Sequence, residues 1–222
     1  MGGPDRKRTR GERAGLTRDR VLDAALALAD REGRKALTMR RLGAELGVEA
    51  MTLYHHVPNK DALLDGLVER VVTEALPEGA QDTDWRTLLR TYAEALREGL
   101  LRHPGVLPLV AERPAVTPAT LDVAERGLTV LTAAGFGLGA ALDALNALTL
   151  FVVAHATAEA ASRSAAEDGP GSTPWVAELD GERYPLLVRA ARTGAGTDDV
   201  RRFRFAVEVL IAGLGEEAGA GA

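Results

Sequence analysis

The 222-residue chain is 46% hydrophobic, has no cysteine and carries a formal net charge of -5 at pH 7. That length and apolar share suffice for one large or two small cores. The missing cysteines exclude disulfides and thiolate metal sites and fit a reducing cytoplasm, and MGGPDRKRTR at the N-terminus lacks the apolar core of a signal peptide, so no export is implied.

Residues 1–15 are rich in Arg and Gly without periodicity and read as a flexible basic arm, either a plain solvated tail or a strand of Arg side chains for a minor groove. Thr17 then caps a first helix with Val21, Leu22, Ala25, Leu28 and Ala29 inward, which stops at Gly33. Thr38 caps a second, short helix whose Leu42 and Leu46 lie four apart on one face. Gly43 beside that stripe lets another helix approach closely, and Gly47 suits the left-handed turn that follows. Val48, Leu53 and Val57 cover the inner side of the next segment, leaving Thr52, Tyr54, His55 and His56 at or near its outer surface. The pattern is a helix-turn-helix over about Thr38 to His56, whose outer residues carry the donors, acceptors and flat rings that a major groove can receive. Asn59 caps a fourth helix with Leu63, Leu64, Leu67, Val68, Val71 and Val72, ending before Pro77.

Charge is segregated along the chain: residues 1–60 hold 13 Lys+Arg against 8 Asp+Glu, and the remainder 14 against 24. A basic head beside an acidic body orients a protein on a phosphate backbone.

Beyond residue 77 the periodicity predicts helices over about Asp84 to Arg102, a short one after Pro104, then Thr117 to Ala134, Ala140 to Ser162, Tyr184 to Arg192 and Asp198 to Leu214, with a mobile loop over Glu167 to Gly181. No strand period is present, so the class is all-α. The uncharged run between Asp143 and Glu159 is 15 residues, short of the roughly 20 that span a bilayer. It reads as a helix buried on nearly all sides, and no membrane partner is expected. The last helix carries a broad apolar stripe of Val200, Phe203, Val207, Leu210, Ile211 and Leu214. Gly135 to Ala141, GFGLGAA, has no preceding strand and is a turn rather than a nucleotide loop. His55 and His56 point about 100° apart on a helix and cannot share a metal. With no HExxH, Walker loop or Ser/His/Asp spacing, no catalytic residue, metal or cofactor is expected.

The segment LTMRRLGAELGVEAMTLYHHVPNKDALL resembles the DNA-binding segment of the Tet repressor family, whose signature runs from a Gly-Val turn through Thr-Leu-Tyr-x-His to Asn-Lys and a long fourth helix. The likeness is strongest from about Leu16 to Leu76 and continues more weakly through WRTLL, the His-Pro-Gly and Arg-Pro pairs and the C-terminal helices. It implies an N-terminal three-helix helix-turn-helix domain and a larger helical ligand-binding and dimerisation domain. The expected divisions are arm 1–15, DNA-binding domain 16–60, connecting helix 61–76, ligand-binding and dimerisation domain 77–215 and flexible tail 216–222. By the same resemblance the DNA-facing positions are Thr38, Arg40, Ala50, Met51, Thr52, Tyr54, His55 and His56, with Lys60 at a phosphate. Arg40 suits bidentate contact with guanine, while Ala50 and Met51 offer only apolar contact to thymine methyls.

Tetracycline-responsive members carry pocket groups where this chain has Leu76, Tyr92, Leu96, Leu109 and Leu150, so the donors and metal ligand for a magnesium-tetracycline chelate are missing. Together with Leu128, Leu142, Leu145, Asn146 and Thr149 these describe a largely apolar cavity for a hydrophobic, polyketide-like or aromatic effector. His155 and Trp175 are further candidates. The resemblance also implies a homodimer paired through helices 140–162 and 198–214 as a four-helix bundle. The expectation is a cytoplasmic, ligand-responsive transcriptional regulator, a repressor released from a palindromic operator by a small molecule. The alternatives are a small-molecule-binding helical protein that has lost specific DNA binding and an enzyme built on a buried His155.

Overall fold

Thr17 and Thr38 set the first two helix starts in the computed structural model, which describes residues 15–76, 79, 83–113, 115–168 and 174–220. Thr17 Oγ1 accepts from Arg20 N at 3.2 Å and opens α1 (Arg18–Glu32), which Gly33 ends at φ 76°. Thr38 Oγ1 accepts from Arg41 N at 3.1 Å and opens α2 (Met39–Leu46); Gly47 ends it in the left-handed region, φ 67° and ψ 28°. Gly43 is where the next segment crosses, for a Cβ there would stand 2.9 Å from the Val48 carbonyl oxygen and 3.2 Å from Ala50 N.

The third helix is shorter than the sequence pattern suggests. Regular α-structure, α3, covers only Ala50–Leu53, and Tyr54 to His56 continue as a turn in which His56 N and Val57 N both donate to the Leu53 carbonyl. Glu49 gives no side-chain cap, and Pro58 disfavours the helical region for Val57 before it. Asn59 Oδ1 then accepts from Ala62 N at 2.7 Å and opens α4 (Lys60–Ala75).

The remaining helices are α5 (Trp85–Arg102), α6 (Leu107–Glu112), α7 (Pro118–Ala133), α8 (Leu138–Asp168), α9 (Pro174–Ala177), α10 (Pro185–Thr193) and α11 (Asp199–Ala220). The described residues contain no strand, in keeping with an all-α class. The segment expected as a loop over 167–181 contains α9, and α11 runs on to Ala220, beyond both the expected helix end at Leu214 and the start of the expected tail. The basic arm lies outside the described residues except for Gly15, as do Pro77 and residues 169–173.

Two compact units emerge, each built from two stretches of the chain. One joins the chain up to Glu74 with Arg102–Val123; the other joins Ala75–Leu101 with Ala124–Ala222. Arg102–Val123 belongs with the head for a polar and steric reason. Asp30 on α1 accepts from Gly105 N at 3.0 Å and meets His103 Nδ1 at 2.8 Å. A Cβ on Gly105 would fall 2.5 Å from the Ala29 carbonyl, so only glycine permits that approach. Arg113 adds bonds of 2.9 Å to Asp65 and 3.3 Å to Asp61 on α4, and Arg34 pairs with Glu112.

In the second unit α8 is a 31-residue helix with one buried stripe: Ala141, Ala144, Leu148, Val152, Ala156 and Glu159. Its other side is open, with Leu138, Leu142 and Leu150 exposed, so it is not buried on nearly all sides within one chain. Apolar composition on both faces cannot distinguish a neighbour in the same chain from one in another. α11 packs on α8, Phe203 lying against Phe151, and buries Val207 and Ile211 while Phe205 and Val209 stay exposed.

Candidate DNA-reading face and effector core

The apolar core of the first unit, including Leu22, Leu28, Leu42, Leu53 and Leu63, fixes α1 to α4 and turns a polar surface outward. Met51 is 71% exposed, Tyr54 and His55 are exposed, and Ala50, Thr52 and His56 are half-buried. Thr38 is exposed but its hydroxyl is engaged as the α2 cap.

Two adjacent arginines differ sharply. Arg41 bonds Glu32 at 2.6 and 3.2 Å and Glu45 at 3.0 Å, and Arg31 pairs with the same two carboxylates. The Arg41 guanidinium holds the Glu32 carboxyl below the usual carboxylate range. Arg40 and Lys60 are exposed and have no ion-pair partner among the described residues. Lys35 is likewise exposed without an ion pair, so three described cations of this unit, two of them at positions expected to meet DNA, are available for phosphate contact. Within the Arg31–Glu32–Arg41–Glu45 network, Arg41 and Glu45 at i, i+4 are the local signal that the sequence carries.

The expected effector residues divide into three groups. Leu76, Tyr92 and Leu96 are buried in the second unit, with Leu128, Leu145 and Thr149 half-buried there. The Tyr92 hydroxyl lies 3.0 Å from Thr149 Oγ1, and Leu145 closes on Gly127, where a Cβ would be 3.1 Å from a Leu145 methyl. Leu145 and Thr149 are one turn apart, so both contacts use the same face of α8. Burial pushes the Tyr92 phenol up. Leu142, Asn146 and Leu150 stand on the exposed face instead, displaced around α8 from the stripe of Ala141, Ala144 and Leu148. Leu109 is buried in the first unit.

An ionic node lies deeper. Arg97 Nε and Nη2 donate to the two Glu159 carboxylate oxygens at 2.8 and 2.6 Å, with Glu159 only 2% exposed. Arg163 adds a bond of 2.6 Å. Phe203 stacks on Phe151 with centroids 5.7 Å apart, and the Arg97 guanidinium carbon sits 5.2 Å from the Phe203 centroid. His155 lies against both rings, its Nε2 3.7 Å from Glu159. Burial pushes the imidazole below its ordinary value, partly opposed by Glu159. Trp175 is exposed. The described residues contain no cluster of three or more His, Cys, Asp or Glu able to hold a metal.

A helix-turn-helix unit with exposed cations free of ion pairs, continued through one connecting helix into an all-helical second unit, defines a DNA-binding regulator with a separate sensory domain. Residues 21–67 match the model of bacterial regulatory proteins of the tetR family, and residues 76–218 match the tetracyclin repressor-like C-terminal domain. The HTH-type transcriptional repressor DrrR1 of Streptomyces coeruleorubidus is 32% identical over 220 residues, covering 94% of this chain and 81% of that protein. The class D tetracycline repressor protein of Escherichia coli is 33% identical over 206 residues, 90% of each chain. ActR of Streptomyces coelicolor, solved in complex with actinorhodin, superposes with a TM-score of 0.75 at 31% identity, covering 93% of this chain and 99% of the other. The chain belongs to the tetR family and is a ligand-responsive, DNA-binding transcriptional repressor.

Proposed function

We propose that the protein acts in the cytoplasm as a homodimer that holds a palindromic operator and leaves it when a largely hydrophobic small molecule occupies the second unit. The observation that carries the reading is the contrast at the head, where Arg40 and Lys60 remain unpaired in the same unit as the exposed Met51, Tyr54 and His55 while Arg31 and Arg41 are neutralised. Arg40 would read a guanine edge, Met51 and Ala50 would meet thymine methyls, Thr38, Thr52, Tyr54, His55 and His56 would make the remaining groove and backbone contacts, and Lys60 would hold a phosphate.

A palindrome requires two heads, and the open faces of α8 and α11 support the pairing. Leu138, Leu142 and Leu150 on α8 and Phe205 and Val209 on α11 are large exposed apolar side chains on two helices packed together, the kind of surface that suits an interaction face. Burial against the same faces of a second copy makes a four-helix bundle. By length and composition α8 could also cross a bilayer, but the tetracyclin repressor-like match over 76–218 supports the bundle.

Relatives in the same family have been solved with actinorhodin and with minocycline bound. Here Leu76, Tyr92, Leu96, Leu128, Leu145 and Thr149 supply mainly apolar contact, which suits an aromatic or polyketide-like molecule. Such a molecule releases DNA if it favours a position of α4 that mismatches the spacing of the two heads. The reading is tested by measuring affinity for an operator with Arg40→Ala and Arg41→Ala proteins. Arg40→Ala should cost about 1–3 kcal/mol and relax preference at one base pair in each half-site, with Arg41→Ala affecting operator affinity less. Equal losses would contradict the assignment.

A further inference from the structure

Among the described residues two buried side-chain nitrogens lack a hydrogen-bond partner, Arg126 Nε and His155 Nε2. A neutral imidazole nitrogen can remain a bare acceptor, but an arginine Nε always carries a proton to donate. A buried donor without an acceptor calls for a partner from outside the chain.

Arg126 occupies an unusual place on α7. Gly127, Val130 and Leu131 around it are buried, and Gly127 is the point where Leu145 of α8 closes in. Its Nη2 donates to the Leu76 carbonyl at 3.1 Å, just past the end of α4. Nε–H and Nη2–H share the side edge of the planar guanidinium, the edge that grips a carboxylate through two parallel bonds. The same unit shows that edge filled twice: Arg97 meets Glu159 through Nε and Nη2, and Arg90 meets Glu208 in the same way. On Arg126 the Nε half of the edge is idle, while Nη2 keeps a second hydrogen beyond the one given to Leu76.

We propose that Arg126 is the polar anchor of the effector site and that the effector is a hydrophobic organic acid whose anionic oxygen accepts from Arg126 Nε. The anchor rests on the effector reading above and narrows it from a hydrophobic molecule to an amphiphilic anion. The apolar body of the ligand lies against the Gly127 and Leu145 side of the core, with the Tyr92–Thr149 pair one helical turn further along α8. An oxygen on this edge also engages the group that fastens Leu76, so ligand binding bears directly on the end of α4.

Two dyes sharing one aromatic skeleton test this: 1-anilinonaphthalene-8-sulfonate, which carries an anion, and N-phenyl-1-naphthylamine, which does not. Saturable binding to the full-length protein is measured by fluorescence for wild type, Arg126→Met and Arg126→Lys. The expected result is a sulfonate affinity about tenfold or more weaker in Arg126→Met, with the neutral dye changed less than about twofold. Arg126→Lys keeps the charge and the stem but loses the planar edge, so it should weaken the sulfonate about threefold; it carries the test if Arg126→Met does not fold. An unchanged ratio of the two affinities in both variants overturns the anchor, leaving a buried water as the partner of Nε. A wild-type protein that binds neither dye overturns the effector reading and the anchor together. Loss of the sulfonate preference on substitution, in a protein that binds no operator, supports the anchor while the regulator reading fails.

Discussion

The two units break the ordinary rules of a protein surface in opposite ways. The first unit pairs most of its described cations, as with Arg31, Arg41, Arg70 and Arg113, and leaves Arg40, Lys60 and Lys35 exposed without an ion pair. The second unit exposes leucine and phenylalanine on α8 and α11 and draws Arg97, Glu159 and the Arg126 Nε atom inward. Each departure marks what a unit lacks when it stands alone. On the function proposed above, a DNA phosphate answers the first departure, and a second copy and a ligand answer the second.

The largest effect should come from the buried node. Arg97→Met leaves Glu159 in the core with Arg163 as its remaining close cation, and should lower unfolding free energy in urea by about 3–5 kcal/mol. The double replacement Arg97→Met with Glu159→Met removes both charges and should recover most of that loss. If the single and double variants are equally unstable, packing rather than charge holds this part of the core.

Next comes the open face. Leu150 and Phe205 are 71% and 70% exposed, so Glu at both positions is tolerated by the isolated chain. In a dimer the same change buries like charges. Sedimentation velocity should show at least about 100-fold weaker self-association, about 2.7 kcal/mol, with unchanged helical content. Undisturbed self-association would move the interface elsewhere.

The smallest effect concerns pH. Burial lowers the His155 pKa in the folded state, so on acidification the unfolded chain takes up a proton first, near pH 6.5. Stability is then lost as pH falls from about 6.5 towards the folded value, with a slope from this group of at most about 1.4 kcal/mol per pH unit. His155→Phe should lack that part of the slope in unfolding experiments across this range. A variant whose slope matches wild type would remove His155 as the source.

How much of this was legible in the sequence follows from the range of each interaction. Thr17, Thr38, Gly33, Gly47 and Asn59 act within a few residues of themselves, and their caps and turns were readable directly. Asp30 and His103 lie 73 residues apart, so no local pattern showed that Arg102–Val123 would join the head. Arg97 and Glu159, 62 apart, left a fainter signal, since each places a charge on an otherwise apolar helix face. The short extent of α3 has its cause outside the apolar pattern, in the restriction that Pro58 places on Val57. Leu142, Asn146 and Leu150 are exposed next to the buried stripe of α8, where both faces are rich in apolar residues and composition does not say which face meets a ligand.

The central claim is that bare cations on two paired heads recognise a palindrome. Selection of bound duplexes from a randomised pool, followed by titration of the winning sequence at several salt concentrations, tests it most directly. The account predicts an inverted repeat bound by two chains, with affinity falling steeply as salt rises and a shallower salt slope for Lys60→Ala. Enrichment of no symmetric sequence, or equal affinity for the selected and scrambled duplexes, would contradict it.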